Sequence, residues 1–289
     1  MKNNPLNTLK DKRVLITGGT GFIGSSLAPK IKSLCREAHI YEEDIRKIAG
    51  FKKRYDVVCH LAALNKPEDK KGEIVEMFDV NVGGTLAVMR YCHKNSARCI
   101  FASSSAVYKP SASGTAIEEG ALLRPIGLYG ASKVLAEDVC RAYSEDFGIS
   151  VMALRIFNIY GPGQKEPFLI PYLINRMKNG EKIKLNTPKA VRDFVYVSDA
   201  VSAFISALVH TWQGFKALNV GTGHGTSIYD AAQKTARMMS FRPDLDGAAT
   251  NSHKTDYVVS SVRNICDVLG WKPVVTLEKG LKILCKTDQ

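Results

Sequence analysis

Residues 13–24 read Arg-Val-Leu-Ile-Thr-Gly-Gly-Thr-Gly-Phe-Ile-Gly, and no other stretch constrains the fold as strongly. A short apolar run bounded by charge suits a strand buried on both faces of a parallel sheet. It leads straight into glycines at 18, 21 and 24, and a helical pattern follows over 25–35. Without Cβ atoms, such a turn lets the main chain approach a pyrophosphate, while the first N–H groups of the helix face the anion. A glycine pattern alone is a weak signal. Between a strand and a helix it predicts a dinucleotide site, with Gly18, Gly21, Phe22, Ile23 and Gly24 as its candidate contacts.

Further apolar runs at 37–41, 55–63, 99–103 and 150–157 are predicted strands, separated by helical spacing over 73–94 and 129–147. This alternation predicts an α/β chain with a parallel, doubly wound sheet. Ligands of such sheets bind outside the carboxyl ends of the strands. Leu61, Ala62 and Ala63 fall at that end of the third run, and Ser103, Ser104 and Ser105 at that end of the fourth. Glu42 lies 18 residues past Gly24, close to where a dinucleotide unit places the carboxylate that bonds the adenosine ribose. This position favours NAD over NADP, and Asp44 and Ile45 beside it join the candidate cofactor set.

Tyr129 and Lys133 stand at i and i+4, on one face of a helix and one turn apart. An ammonium there can favour the phenolate and draw a tyrosine pKa of about 10 towards neutrality. A serine hydroxyl presented from the nearby strand end would complete a proton-transfer site around a substrate alcohol.

Beyond residue 165 the pattern loosens into a helix over 169–179, a strand at 183–185, the run 192–197, a small-residue helix over 198–209 and a strand at 217–220. The expected organisation is a dinucleotide-binding unit of residues 1–165, to which 192–222 return. A smaller, mixed α/β substrate unit takes 166–191 and 223–289.

Composition narrows the partners. No apolar run approaches the roughly 20 residues that span a bilayer, and residues 1–12 are polar, so the expectation is a cytoplasmic protein without a membrane partner. Seven dispersed cysteines with no Cys-x-x-Cys pair predict reduced thiols and no metal site. A net charge of +12 invites nucleic acid, but the basic residues form only short clusters such as 52–54. Small anionic ligands would equally favour a positive field. Nucleic acid is not an expected partner.

Taken in order, these segments resemble the extended short-chain dehydrogenase/reductase family, in particular its nucleotide-sugar epimerases and dehydratases. The resemblance rests on the glycine turn at 17–24, His60-Leu-Ala-Ala63, Asn81-Val-Gly-Gly-Thr85, Ser103-Ser-Ser-Ala-Val-Tyr108 and Tyr129-Gly-Ala-Ser-Lys133. It continues through Arg155-Ile-Phe-Asn-Ile-Tyr-Gly-Pro162, Arg192-Asp-Phe-Val-Tyr-Val197, Leu218-Asn-Val-Gly-Thr222 and Leu269-Gly-Trp-Lys-Pro273. It implies a Rossmann-type sheet, with Tyr129 as acid/base, Lys133 on the nicotinamide ribose and Ser104 as the catalytic hydroxyl. It also implies substrate contacts at Ser104, Ser105, Asn158 and Arg192, a structural role for Asn81, and a homodimer.

Family dehydratases and decarboxylases carry acidic residues just after the catalytic serine or threonine, where this chain has Ser105 and Ala106. The resemblance therefore implies NAD-dependent epimerisation at carbon 4 of a nucleotide sugar, such as a UDP-sugar. Two departures qualify the match. The segment after Glu42 is short, which also resembles the NADPH-dependent reductases of 4-keto nucleotide sugars. The arginine that usually precedes Asp256 by three residues is replaced by His253, with Lys254 beside it. The same alignment sets Ser260 where room is made for the sugar's carbon 2 substituent. A non-catalytic protein that senses NAD(P) is the third reading, from a different class.

Overall fold

The computed structural model describes residues 9–65, 72–243, 245–246 and 256–287. The glycine turn joins β1 (Arg13–Thr17) to α1 (Phe22–Leu34), followed by β2 (Glu37–Tyr41), β3 (Val57–His60), α2 (Glu73–Phe78), α3 (Gly84–Asn95) and β4 (Arg98–Ser104). Next come α4 (Leu128–Phe147), β5 (Val151–Ile156), β6 (Asn158–Tyr160), α5 (Leu169–Lys178), β7 (Ile183–Lys184), β8 (Val191–Tyr196) and α6 (Val197–Val209). The chain closes with β9 (Phe215–Val220), β10 (Gly225–Ser227), α7 (Ile228–Met238), β11 (Leu245–Asp246), β12 (Tyr257–Val258), α8 (Arg263–Leu269) and α9 (Leu277–Thr287).

The main sheet has the strand order β2-β1-β3-β4-β5-β9, parallel throughout. β3 and β5 are buried along their whole length, as their unbroken apolar runs require. One core packs α1 and α6 on one face through Leu27, Ile31 and Phe204, and the other packs α3 and α4 through Val88, Tyr91, Ala136 and Cys140. Winding reverses between β1 and β3, which opens a crevice at their carboxyl ends. The site begins there.

A second, mixed sheet has β8 at its centre, flanked by β10 and β12, with β6 paired to β8 as well. Of the segment 192–222, β9 therefore joins the large sheet, whereas β8 belongs to the small one. The two sheets are linked by continuous chain at Phe157, between β5 and β6, and both contribute walls to one cavity.

The helix expected over 73–94 is divided. Residues Asp79–Gly83 form a π-helical turn between α2 and α3. The widened turn presents Asn81, whose amide donates to the Leu64 carbonyl at 2.9 Å and to Ser132 Oγ at 3.0 Å. Its carbonyl accepts from Leu64 N–H at 2.8 Å. One extra residue in the turn thus ties the loop after β3 to α4, in keeping with the structural role expected of Asn81.

Among the described residues no helix is long and apolar enough to cross a membrane, and no group of three metal-ligating side chains is assembled. The seven cysteines form no disulfide.

Candidate active site

The glycine turn is set by main-chain contact. Gly18 has φ of 66°, and a Cβ there would meet the Ala62 nitrogen at 2.6 Å. A Cβ on Gly24 would meet the Gly19 Cα at 2.7 Å. Only glycine permits this packing of turn, strand end and helix. Gly21 precedes α1 without a side-chain cap, which leaves the first N–H groups of the helix to face a ligand. The cradle fits a dinucleotide pyrophosphate, both in its close backbone approach and in its donor chemistry.

Beside the turn, His60 is fully buried between Thr17 Oγ1, at 2.8 Å, and Thr85 Oγ1, at 3.0 Å. Burial, with a smaller contribution from the Lys133 charge, pushes its pKa down to about 3. It is a neutral strut between β1, β3 and α3.

A cavity of about 610 Å³ opens over these strand ends. Its walls bring together Gly18, Gly21, Phe22, Ile23, Gly24, Leu61 and Ala63 with Ser104, Ser105, Tyr129, Lys133, Asn158 and Arg192. These residues come from six separate segments of the chain. Ser104 ends β4 and accepts a hydrogen bond from Ala106 N–H at 3.2 Å, which holds its hydroxyl at the cavity wall.

The electrostatics depart from the simple helical pairing. Burial pushes the Tyr129 phenol up to about 12, and a hydrogen bond with Ser104 opposes that rise. Lys133 is pushed down to about 8 by burial, with Cys140 and Glu137 acting the other way. Its ammonium donates to the Ala102 carbonyl at 2.9 Å and lies 4.7 Å from the centre of the Phe101 ring. The expected lowering of Tyr129 by Lys133 is therefore corrected. Burial sets the direction for the phenol, and the group that opposes it is Ser104.

Five candidates lie outside the cavity wall. Ser260 is buried and donates to Asp193 Oδ2 at 2.6 Å. Asp193 also accepts from Thr222 and Gly223, so Ser260 belongs to a buried brace; the cavity wall in that segment is Asp256 and Val258. Ile45 packs in the core beneath Gly84. Asp44 caps a short 3-10 helix and pairs with Arg46 at 2.6 Å, which holds its carboxyl down at about 2. Ala62 forms the floor on which Gly18 rests, and its N–H donates to Thr17 Oγ1 at 3.2 Å. Glu42 is exposed just past the end of β2. His253 and Lys254 lie outside the described residues.

The cavity also has walls that the sequence reading did not single out, notably Tyr108, Ile126, Gln164, Phe168 and Asp256. Tyr108 closes the motif that begins at Ser103, so its place in that motif was the available signal. Asp256 pairs with Arg192 at 2.6 Å, and Arg192 also donates to the Asp256 and Val191 carbonyls. Among the described residues lining the cavity, Asp256 is the one carboxylate.

Comparison with known proteins identifies the family. The NAD dependent epimerase/dehydratase family model matches residues 14–221. A putative UDP-glucose 4-epimerase of Methanocaldococcus jannaschii is 28% identical over 93% of this chain and 96% of its own length. A UDP-N-acetyl-alpha-D-glucosaminuronate decarboxylase of Bacillus cytotoxicus is 31% identical over 77% of this chain and 78% of its own. The structure of MoeE5 in complex with UDP-glucuronic acid and NAD superposes with a TM-score of 0.85 at 29% identity, covering 96% of this chain and 99% of that one. The chain belongs to the NAD dependent epimerase/dehydratase family.

Proposed function

We propose that the protein is a nucleotide-sugar 4-epimerase that acts on a UDP-linked hexose with NAD. The observation that carries this reading is the wall beside Ser104 and Tyr129. Ser105 and Ala106 follow the catalytic serine there, and the one cavity carboxylate, Asp256, is held by Arg192. A phenol and a hydroxyl can move one proton on and off a sugar oxygen. Elimination or decarboxylation calls for a further acid or base, and no described residue at that wall supplies one.

Bound NAD would supply a reversible hydride acceptor and, in its oxidised form, a positive charge beside the phenol. Gly18, Gly21 and Gly24, with the open end of α1, would hold its pyrophosphate. Tyr129, as phenolate, takes the proton from the carbon 4 hydroxyl while Ser104 hydrogen-bonds the same oxygen. Lys133 holds its charge behind the phenol. Once the 4-keto sugar has turned over in the cavity, hydride restored to the opposite face of carbon 4 would set the inverted configuration, and Tyr129 returns the proton to the oxygen. Arg192 and Asn158 bind the diphosphate and fix the nucleotide while the sugar moves. The exposed Glu42 carboxylate disfavours the 2′-phosphate of NADP and so supports NAD. Two copies of the chain pair through α3 and α4.

The test is a panel of UDP-glucose, UDP-galactose and their N-acetylated forms incubated with purified protein and catalytic NAD. Interconversion without net cofactor consumption supports the proposal. Net oxidation of NADPH with a 4-keto nucleotide sugar would establish a reductase instead, and NAD binding without turnover of any sugar would establish a sensor.

A further inference from the structure

Behind the proton-transfer pair lies a buried ion pair that the mechanism above does not use. Glu137 stands one turn beyond Lys133 on α4, so Tyr129, Lys133 and Glu137 form a stripe at i, i+4 and i+8. Glu137 is 0% exposed and Arg155, from β5, is 2% exposed. The guanidinium grips the carboxylate from two nitrogens, with Nη2 to Oε2 at 2.6 Å and Nε to Oε1 at 3.0 Å. Ser103, the residue before the catalytic serine, donates its hydroxyl to the same Oε1. Arg155 reaches on to the Tyr108 hydroxyl at 2.7 Å and the Glu119 carbonyl at 2.9 Å, and Tyr108 donates to Asn219 Oδ1 at 2.8 Å. One carboxylate thus joins the catalytic helix, the serine strand, β5, β9 and the loop over the cavity.

We propose that Glu137 is a positioning residue of the reaction. Its carboxylate, fixed between Arg155 and Ser103, holds the serine strand against the catalytic helix and supplies the negative charge that balances the Tyr129–Lys133 pair. This rests on the reading of that pair as the proton-transfer site.

Two features of the surroundings argue for it. A buried ion pair is weak evidence for stability, because an apolar pair of similar volume often serves as well. Here, moreover, both partners also hold groups that line the cavity. The second feature is the charge around Lys133. From α4 it is faced by Glu137 and Cys140, with Tyr129 one turn before it, from β3 by neutral His60, and from β4 by the Phe101 ring and the Ala102 carbonyl. Arg155 of β5 lies behind Glu137, and Cys92 of α3 faces Cys140. Burial pushes the Cys140 thiol well up, so the negative charge beside Lys133 is the Glu137 carboxylate that Arg155 grips. Replacing it with a neutral group exposes the Arg155 charge to the pair. Both the phenol and the ammonium then lose their protons more readily.

The test compares Glu137→Gln with the parent, using full-length protein, NAD and the UDP-hexose that the panel identifies. The expected result is a kcat at least tenfold lower, with KM and NAD affinity within threefold of the parent. Both limbs of the pH–kcat profile should move to lower pH by about one unit. Glu137→Asp, which keeps the charge, should leave the limbs in place. Unmoved limbs in Glu137→Gln, or a kcat within twofold of the parent, would overturn the proposal.

If Glu137→Gln does not fold, the Glu137→Leu/Arg155→Met double variant removes both charges together. A double variant with parental thermal stability and a kcat at least tenfold lower supports positioning. One with kcat within twofold shows the pair to be structural only. Tyr129→Phe separates this proposal from the reading beneath it. If that variant still turns over, the proton-transfer assignment fails. If it is inactive while Glu137→Gln behaves as the parent, only the role of Glu137 fails.

Discussion

The Lys133 ammonium donates to the Ala102 carbonyl at 2.9 Å, which anchors the catalytic helix to the strand that ends in Ser104. The hydrogen bond holds a buried charge at a fixed place one helical turn from Tyr129. Because Ala102 lies two residues before Ser104, tyrosine, serine and lysine share one rigid frame. Removing the phenolic oxygen alone should leave that frame intact. Tyr129→Phe is expected to lower kcat by about 10²- to 10⁴-fold, with NAD affinity within threefold of the parent by calorimetry.

His60 gives the protein an acid limit. Its pKa is depressed to about 3 in the folded chain, against an ordinary value of about 6.5. Between those values the unfolded chain binds a proton that the folded chain does not, so this contribution to stability is lost as pH falls from about 6.5 towards 3. It amounts to a few kcal/mol at most. Chemical denaturation of parent and His60→Gln across this range should show a shallower acid loss in the variant. Parallel curves would sink the assignment.

The glycine turn should not tolerate a methyl group. In Gly24→Ala the new Cβ would lie 2.7 Å from the Gly19 Cα and closer still to the Gly18 carbonyl oxygen. Both are main-chain atoms, so relief requires the turn to open. Overpacking of this kind costs about 1–3 kcal/mol, or roughly 10- to 100-fold in NAD affinity. Fluorescence titration with NADH would measure it. Unchanged affinity would show that the cofactor does not use this turn.

The proposed mechanism assigns Arg192 to binding and not to the reacting oxygen. Its fork is already oriented by Asp256 and by the Val191 and Asp256 carbonyls, whereas a lysine offers a single point charge. Arg192→Lys is expected to raise KM about tenfold with kcat within threefold. A fall in kcat with KM unchanged would move Arg192 into the chemical step.

Leu86 on α3 and Leu135 on α4 are 41% and 45% exposed. Pairing of two copies through these helices predicts a dimer mass in sedimentation and a monomer for the Leu86→Glu/Leu135→Glu variant. A monomeric parent would refute the pairing.

The sequence by itself determined the features whose cause is local. A strand, three glycines and a helix in succession make the turn of a dinucleotide cradle from neighbouring residues, although its floor comes from Ala62. Tyr129 and Lys133 share a helix face because 3.6 residues make a turn. The strand ends carrying Ala63 and Ser104 converge because parallel βα units align their carboxyl edges.

Only the tertiary structure decided which polar groups remain available to a ligand. Ser260 looked like a substrate contact until Asp193, 67 positions away, engaged its hydroxyl. Arg192 and Asp256 meet across 64 positions, and Arg155 reaches Tyr108 across 47. Spacing along the chain does not encode such pairings. They form because a charge or hydroxyl taken out of water must find a partner wherever the packed chain brings one. The ionisation of Tyr129 was decided in the same way. Its helix position invited a lowered pKa, and burial raised it instead.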